Sequence, residues 1–385
     1  MRSAVIVTGA TGFLGSHLVL QWLKDFPDHA VVCLARRNRD ASARERVLQA
    51  LRNAERDTGA PGALSRYTER LIVIEDNLLS RDPGSEPSAL ADLDGLELEA
   101  FWHSAASVKF VETDTHEVWN TNVRGLQNAL ALADRLRVPI FNQISTAYSC
   151  GTMSGRILET TERSPAAFNN IYEESKHHGE QLVRGFCEAH RMQYRIIRPS
   201  IIIGHSETFR TSSAAGFYYC LDALKLLHDR TVARDRSYFD RNPLRVRIDR
   251  NATLNFIPID FVVSEMIELH RLGSGTLNDV FHVTSDSPIS LCDWLKKLSP
   301  TIGIKRVEMV PDDSELSALD RMFNKQVKEF LPYMMQRKMF DRSKIVRHGV
   351  DRRQMDYLLD TERLCCFASR YLAEPRAAAA VGRVA

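Results

Sequence analysis

The sequence predicts an α/β protein with a doubly wound parallel sheet and a smaller, mainly helical C-terminal subdomain. Short apolar runs alternate with helical patterns through the first half of the chain, and a glycine-rich turn joins the first run to the first helix. This regularity weakens after about Gly204. Repeated strand–helix–strand patterns are typical of a parallel sheet with helices on both faces, and 385 residues are enough for one large domain or two modest ones.

The first half contains apolar runs of strand length, separated by segments with apolar residues at helical spacing. The expected strands are Ala4–Val7, Ala30–Ala35, Leu71–Ile74, Leu98–His103, Pro139–Ser145 and Tyr194–Ile197. The expected helices are Ser16–Phe26, Arg44–Arg56, Val118–Arg135 and Ile171–His190. A loop rich in glycine, proline and serine is expected over Asp57–Ser65.

These patterns also predict the domain boundaries. Residues 1–204 form the sheet domain, and Ile257–Leu272 returns to a strand-to-helix pattern that rejoins it, so that the domain includes residues 256–272. Residues 205–255 and 273–372 form the second subdomain, where Leu291–Leu298 and Asp313–Phe330 have helical patterns. Residues 373–385 are expected to be a disordered tail.

The composition excludes several classes of protein. Apolar residues make up 44% and charged residues 26%, as in ordinary globular proteins, and the net charge of +2 is too small to indicate nucleic acid as a partner. The sequence has neither an apolar stretch of transmembrane length nor the features of a signal peptide. Seven scattered cysteines without metal spacing predict buried thiols, no metal site and a cytoplasmic protein.

The turn after the first strand has three glycines at the spacing of a dinucleotide-binding fingerprint. Gly9 permits the tight turn, Gly12 lets the backbone approach a pyrophosphate, and Gly15 lets helix and strand pack closely. Free N–H groups at the helix N-terminus would hold the diphosphate. The candidate cofactor residues in this Rossmann-type turn are Gly9, Thr11, Gly12, Phe13, Leu14 and Gly15.

The end of the second strand predicts which nicotinamide cofactor is bound. A carboxylate there would bind the ribose 2′-hydroxyl of NAD, whereas arginine accommodates the 2′-phosphate of NADP. This chain has Arg36 and Arg37 and no acidic residue before Asp40. We therefore expect NADPH; the alternative is that both arginines are ordinary solvated surface residues.

The reactive groups are expected on the helix over Ile171–His190 and at the end of the fifth strand. Tyr172 and Lys176 share one helix face, and a nearby ammonium would lower the tyrosine pKa toward the range of a general acid. Ser145 and Thr146 offer a hydroxyl that could donate to a substrate carbonyl. Because strand alternation sends them to opposite faces, only one can serve; we prefer Thr146, with Ser145 as the fallback.

The combination of motifs resembles the extended short-chain dehydrogenase/reductases, and within them the branch of fatty acyl-CoA reductases and thioester reductase domains. The segments that carry the resemblance are Thr8–Gly15, His103–Phe110, Asn122–Gly125, Ile144–Tyr148, Tyr172–Lys176, Arg198–Ser200 and Ile257–Phe261. The segment His103–Phe110 is the most specific to this branch. Gly204–Phe209 resembles the thioester reductase loop more than the animal acyl-CoA reductases.

The resemblance implies that NADPH reduces an acyl thioester, on coenzyme A or a carrier protein, to an aldehyde, and that a second hydride could give an alcohol. It implies that Thr146 and Tyr172 act on the carbonyl oxygen, that Lys176 holds the nicotinamide ribose, and that Asn122 orders the Lys176 side of the site. It also implies further cofactor-binding residues. Among them Asp76 would accept from the adenine amino group, although its spacing is explained nearly as well if it is a plain loop residue. These residues are Asp76, Asn77, Ser104, Ala105, Ala106, Pro199, Ser200 and Ile201.

Substrate binding is expected in residues 205–255, which are rich in arginine, aspartate and aromatic residues. The basic stretch Gln336–Arg353 would suit an acidic carrier protein or the phosphates of coenzyme A, and a solvated basic face explains it equally well. The adjacent His177 and His178 cannot share a helix face, which argues against a metal site. Rival functions are reduction of a ketone or aldehyde, nucleotide-sugar chemistry, and a non-catalytic NADPH-binding regulator. The sequence leaves the oligomeric state open.

Overall fold

The computed structural model describes residues 1–79, 92–110, 112–351, 354 and 356–374. Its strands are β1 (Arg2–Thr8), β2 (Ala30–Ala35), β3 (Leu71–Glu75), β4 (Leu96–His103), β5 (Ile140–Ile144), β6 (Gly155–Ile157), β7 (Gln193–Pro199), β8 (Ile201–Ile203), β9 (Leu244–Arg247), β10 (Thr253–Leu254), β11 (Phe256–Pro258), β12 (Asp279–Val283), β13 (Ile289–Ser290), β14 (Val307–Val310) and β15 (Lys338–Phe340).

The α-helices are α1 (Phe13–Asp25), α2 (Ala43–Thr58), α3 (Thr115–Trp119), α4 (Gly125–Arg135), α5 (Ile171–His190), α6 (Phe217–Val232), α7 (Tyr238–Arg241), α8 (Ile259–Arg271), α9 (Leu291–Leu298), α10 (Ala318–Gln326), α11 (Leu331–Met334), α12 (Ser343–Arg347) and α13 (Thr361–Ala373). A π-helical segment, Asn120–Arg124, joins α3 to α4, so the predicted helix Val118–Arg135 is interrupted by one widened turn.

The central sheet confirms the predicted fold class. It has seven parallel strands in the order β12-β7-β5-β4-β1-β2-β3. Strand order reverses on either side of β1, and ligands bind at such a switch point, outside the carboxyl ends of the strands. The glycine turn follows β1, Ser104 follows β4, Ser145 and Thr146 follow β5, and Ser200 follows β7. The sheet therefore gathers the predicted site residues along one edge.

One strand of the sheet differs from the prediction. The strand expected to rejoin it, at Phe256–Pro258, pairs instead with Ile201–Ile203 in a separate two-stranded parallel sheet. The seventh strand of the main sheet is β12, Asp279–Val283, paired with β7. The helix α8 does return to the sheet domain, because Val263 and Ile267 pack in the same apolar core as α1.

Apolar cores cover both faces of the sheet, and a separate core lies in the C-terminal part of the chain. The first two contain residues such as Trp22 and Val263 on one face and Phe141 on the other. The third joins α6, α9 and α13 through residues such as Leu224 and Trp294. The domain boundaries themselves stay predictions, and of the expected tail only residues 373 and 374 are described.

Helix α2 runs two residues further than expected, to Thr58, and ends on Gly59 in the left-handed conformation, so the predicted loop from Asp57 is shorter. No helix among the described residues is long and apolar enough to cross a membrane.

Candidate active site

The glycine turn is built so that its outer surface is open to a ligand. Gly9 has a φ of +75°, and a Cβ there would lie 2.6 Å from the amide nitrogen of Ala105. A Cβ on Gly15 would lie 2.2 Å from the Gly9 carbonyl oxygen, so the chain's own packing requires glycine at both positions. Gly12 is the N-cap of α1 and supplies no side-chain cap. The first amides of α1 therefore have room for an anion, as a pyrophosphate requires.

The segment after β4 lies directly against this turn. The Ser104 amide donates to the Thr8 carbonyl at 3.3 Å, and the Ala105 amide contacts the Thr8 hydroxyl at 3.4 Å. His103 Nδ1 lies 3.0 Å from the same hydroxyl, and burial lowers the pKa of this histidine to about 3. These contacts bring Ser104 and Ala105, with Ala106 after them, to the edge where the fingerprint predicts a cofactor.

Arg36 and Arg37 lie at the end of β2, and both side chains are exposed. Glu75, which no sequence motif marked as a candidate, ends the neighbouring strand β3, and its Oε1 lies 3.7 Å from Arg37 Nε. The Glu75 carboxylate thus offsets part of the Arg37 charge, and Arg36 is the more available of the two guanidinium groups for binding a phosphate. Asp76 follows Glu75, and its amide donates to the Ala35 carbonyl at 3.0 Å. Asn77 beside it is exposed and caps the Leu79 amide.

Thr146 and Ser145 point in different directions, as strand alternation predicts. The Thr146 hydroxyl faces the Tyr172 phenol and acts to lower the phenol pKa, against the larger effect of burial. The Ser145 hydroxyl donates instead to the buried carboxylate of Glu180. Of the two candidates, Thr146 is therefore the hydroxyl that faces Tyr172.

Lys176 and Tyr172 lie on one face of α5, but the pKa of Tyr172 shifts in the direction opposite to the one expected. Burial raises the pKa of Tyr172, whereas the sequence reasoning expected the Lys176 ammonium to lower it. Lys176 Nζ donates instead to the Ile144 carbonyl at 2.7 Å. Burial lowers the pKa of Lys176 to about 8, and the Glu180 carboxylate opposes this shift. At neutral pH the phenol is protonated and the ammonium is charged.

Asn122 lies in the π-helical segment, a feature that frequently occurs at functional sites. Its side-chain amide donates to the Ser107 carbonyl and to the Ser175 hydroxyl, each at 2.9 Å. Its oxygen accepts from the Ser107 amide at 2.7 Å. Asn122 thus connects the segment after β4 to the residue before Lys176 on α5.

Ser200 lies between Pro199 and Ile201, where β7 ends and β8 begins. Its side chain is buried, and the hydroxyl has no hydrogen-bond partner among the described residues. A buried hydroxyl without a partner is costly unless a ligand satisfies it. This orphaned group, together with the uncapped amides of α1, fits a bound nicotinamide dinucleotide.

Two groups of residues that contact the predicted reactive segments were missed by the sequence reasoning. The Phe110 ring lies 5.8 Å from the Tyr172 ring, 5.5 Å from Phe330 and 5.9 Å from Tyr333. The C-terminal part of the chain therefore supplies an aromatic wall beside the phenol. The second group is the buried pair Glu180–Arg198. The sequence could have indicated this pair, because Glu180 comes one helical turn after Lys176 and Arg198 comes directly before Pro199.

The basic stretch Gln336–Arg353 is only partly a surface. Lys338 is buried and donates to the Gly151 and Met153 carbonyls. Arg342 is buried and contacts the carboxylates of Glu265, Asp286 and Asp351. Arg337 and Arg347 are exposed, and Arg352 and Arg353 lie outside the described residues. Fewer cations are therefore available to a partner than the sequence indicates.

His177 and His178 have separate surroundings. His177 Nε2 lies 3.3 Å from the Ser164 hydroxyl, while His178 is exposed beside the Trp119 ring. In the described ranges no cluster of three or more histidine, cysteine or acidic side chains could hold a metal ion.

Comparison with known proteins places this geometry in a family context. Residues 7–266 match the family model described as male sterility protein. The carboxylic acid reductase of Mycobacterium marinum is 30% identical over 208 residues, covering 48% of this chain and 16% of that protein. Human fatty acyl-CoA reductase 2 is 26% identical over 326 residues, covering 76% and 59%. The chain thus spans less than two thirds of the length of these relatives.

Solved structures share the fold. The terminal R domain from the myxalamid PKS-NRPS biosynthetic pathway has a TM-score of 0.76 at 18% identity, covering 96% of this chain and 90% of that one. The UDP-glucuronic acid 4-epimerase from Bacillus cereus, solved with NAD, has a TM-score of 0.61 at 18% identity, covering 96% of each chain.

Proposed function

Because the chain belongs to the male sterility protein family of NAD-binding proteins, we propose that it is an NADPH-dependent reductase of acyl thioesters. The observation that carries the proposal is that Thr146 faces Tyr172, one helical turn from Lys176, at the sheet edge that also holds the glycine turn. A binding protein would have no need for a proton donor there. The names of the carboxylic acid and fatty acyl-CoA reductases among the relatives support a thioester as the substrate.

When bound at this edge of the sheet, NADPH would supply a hydride for the thioester carbonyl carbon. Thr146 and Tyr172 hold the carbonyl oxygen and stabilise the negative charge that develops on it. Tyr172 is protonated at neutral pH, and the alkoxide that develops on that oxygen is basic enough to take its proton. The resulting hemithioacetal releases the thiol of coenzyme A or a carrier protein and leaves an aldehyde. Reduction of the aldehyde to an alcohol would need a hydride from a second NADPH and a second proton on the oxygen.

The remaining residues of the proposed site bind and orient the cofactor. The amides of the glycine turn hold the pyrophosphate, and Arg36, with a smaller contribution from Arg37, binds the 2′-phosphate. Asp76 accepts from the adenine amino group, and the Ser200 hydroxyl binds the nicotinamide side. Lys176 holds the nicotinamide ribose, while Asn122 keeps the Lys176 turn of α5 in place. Residues 205–255 and 273–372 supply the acyl-binding surface.

The experiment that tests this function follows NADPH oxidation by absorbance with acyl-CoA, an acyl carrier protein-bound thioester, a ketone and a nucleotide sugar. Thioesters should be turned over and yield the aldehyde or alcohol. Turnover of ketones or sugar nucleotides alone would reject the thioester assignment. Tight NADPH binding without turnover of any of them would favour a regulatory protein.

A further inference from the structure

We propose that Glu180, paired with Arg198, is a positioning residue of this site: it fixes the turn that presents Thr146 and keeps the Lys176 ammonium in place. This role rests on the proposed reductase function, because it concerns the residues assigned there to the carbonyl oxygen and the ribose. Neither Glu180 nor Arg198 touches the place of the reacting atoms.

Glu180 holds both sides of Thr146. Its carboxylate accepts from the Ser145 hydroxyl, which precedes Thr146, and from the Ser149 hydroxyl at 3.0 Å. The Ser149 amide in turn donates to the Thr146 carbonyl at 3.1 Å. The turn from Ser145 to Ser149 is thereby anchored at two points to one rigid helix, and Thr146 between them faces Tyr172.

The requirement is for a carboxylate with a counterion. Glu180 is fully buried, and Arg198 donates to it through Nε at 2.8 Å and through Nη2. The two carboxylate oxygens accept all four hydrogen bonds from Arg198, Ser145 and Ser149. A glutamine would offer one acceptor oxygen and would turn an N–H group toward the guanidinium. A buried Arg198 without its anion is strongly destabilising, so Glu180 and Arg198 act as one unit.

The same carboxylate acts on Lys176. Glu180 lies four residues after Lys176, on the same face of α5. Lys176 donates to the carbonyl of Ile144, the residue next to Ser145. The Lys176 ammonium and the Glu180 carboxylate therefore both bind the end of β5. The carboxylate also stabilises the charged form of Lys176, which burial disfavours.

The histidines that face this unit are neutral above pH 7, whereas Glu159, whose pKa burial raises to about 7, is charged there and acts on Arg198 rather than on Lys176. Burial lowers the pKa of His103, which faces Lys176, and of His282, which faces Arg198, to about 3. Burial also lowers the pKa of His177. Cys150 and Glu159 act on Arg198, and burial raises the pKa of each. Glu180 is thus the anion that governs the Lys176 titration above pH 7.

The test compares three variants with the wild type. Glu180→Gln/Arg198→Met removes the charged pair without leaving a buried lone charge. Ser149→Ala removes one anchor of the turn and keeps the pair. Glu55→Gln is the control, because Glu55 is a buried carboxylate on α2 that binds the Leu64 amide. Each is measured for the NADPH dissociation constant against pH by fluorescence, for kcat against pH, and for the midpoint of thermal unfolding.

NADPH affinity and kcat are each expected to fall at alkaline pH as Lys176 loses its proton, and we call this fall the alkaline limb. In the double variant we expect this limb to lie about one pH unit lower, because the Lys176 pKa falls when the ammonium loses its anion. In Ser149→Ala we expect kcat to fall roughly tenfold with the limb unchanged, because only the placement of Thr146 is disturbed. Glu55→Gln should leave both unchanged. A folded double variant with an unmoved limb overturns the Lys176 role, and an unchanged kcat in Ser149→Ala overturns the Thr146 role.

The proposed function can fail independently of this inference. If the wild type reduces no thioester and the NADPH-binding limb still moves in the double variant, the substrate assignment is wrong and the Lys176 role stands. If thioesters are reduced, the limb does not move and Ser149→Ala keeps the wild-type kcat, Glu180 is a structural residue only.

Discussion

The cofactor preference gives the most quantitative prediction, and it depends on Arg36. Replacing Arg36 with alanine removes an exposed guanidinium at the end of β2, while the Arg36 carbonyl that Arg46 binds is retained. Arg37 cannot fully compensate, because its Nε lies 3.7 Å from the Glu75 carboxylate. We therefore expect the loss to fall on the binding of the 2′-phosphate, which only NADPH has.

The size of the effect follows from the exposure of Arg36. A hydrogen bond to a charged group contributes about 1.5–3 kcal/mol, and screening at an exposed site favours the lower end. The Kd for NADPH should rise roughly tenfold, while the Kd for NADH changes little. Glu75→Gln should act in the opposite direction and tighten NADPH binding, since it frees Arg37.

Fluorescence titration of both cofactors at fixed ionic strength measures these constants. Arg39→Ala is the matched control, because Arg39 is an exposed arginine two residues beyond the pair. Equal weakening of NADPH and NADH in Arg36→Ala would refute a 2′-phosphate contact, and so would an equal effect of Arg39→Ala.

Three further predictions concern the reactive groups and the turn. Thr146→Val should lower kcat at least tenfold more than Ser145→Ala, because Thr146 faces Tyr172; steady-state kinetics showing the reverse order would favour Ser145. Gly15→Ala should abolish cofactor binding and lower the unfolding midpoint, since its Cβ would lie 2.2 Å from the Gly9 carbonyl; normal NADPH titration would contradict this. Activity should fall as pH rises through about 8, where Lys176 loses its proton; a profile flat to pH 10 would exclude the ammonium from the reaction.

The sequence predicted those elements whose local signals are strong. Helix α5 was predicted with its observed bounds, and the Asn170 side chain caps its first turn by accepting from the Glu173 amide. Strand β2 was also predicted at its observed bounds, since both of its faces are buried and the run is continuously apolar. The glycine turn was predicted because the spacing of Gly9, Gly12 and Gly15 is itself the pattern that such a turn requires.

The features that were missed depend on contacts between distant parts of the chain. β12 is five residues long and joins the sheet only because β7 offers it an edge. The burial that raises the Tyr172 pKa comes from packing that no local pattern contains. The basic stretch shows the same limit: Lys338 and Arg342 are indistinguishable from surface cations until the carbonyls and carboxylates that bury them are known.

The central claim is that Tyr172 protonates a thioester carbonyl as NADPH reduces it, and a labelled cofactor tests it most directly. The wild type and Tyr172→Phe would be incubated with acyl-CoA and NADPH deuterated at the transferred position, and the product examined by mass spectrometry. We expect deuterium at the former carbonyl carbon of the aldehyde or alcohol, and a loss of roughly 10²–10⁴-fold in rate for Tyr172→Phe with NADPH affinity retained. A product without deuterium, or full activity in Tyr172→Phe, would contradict the account.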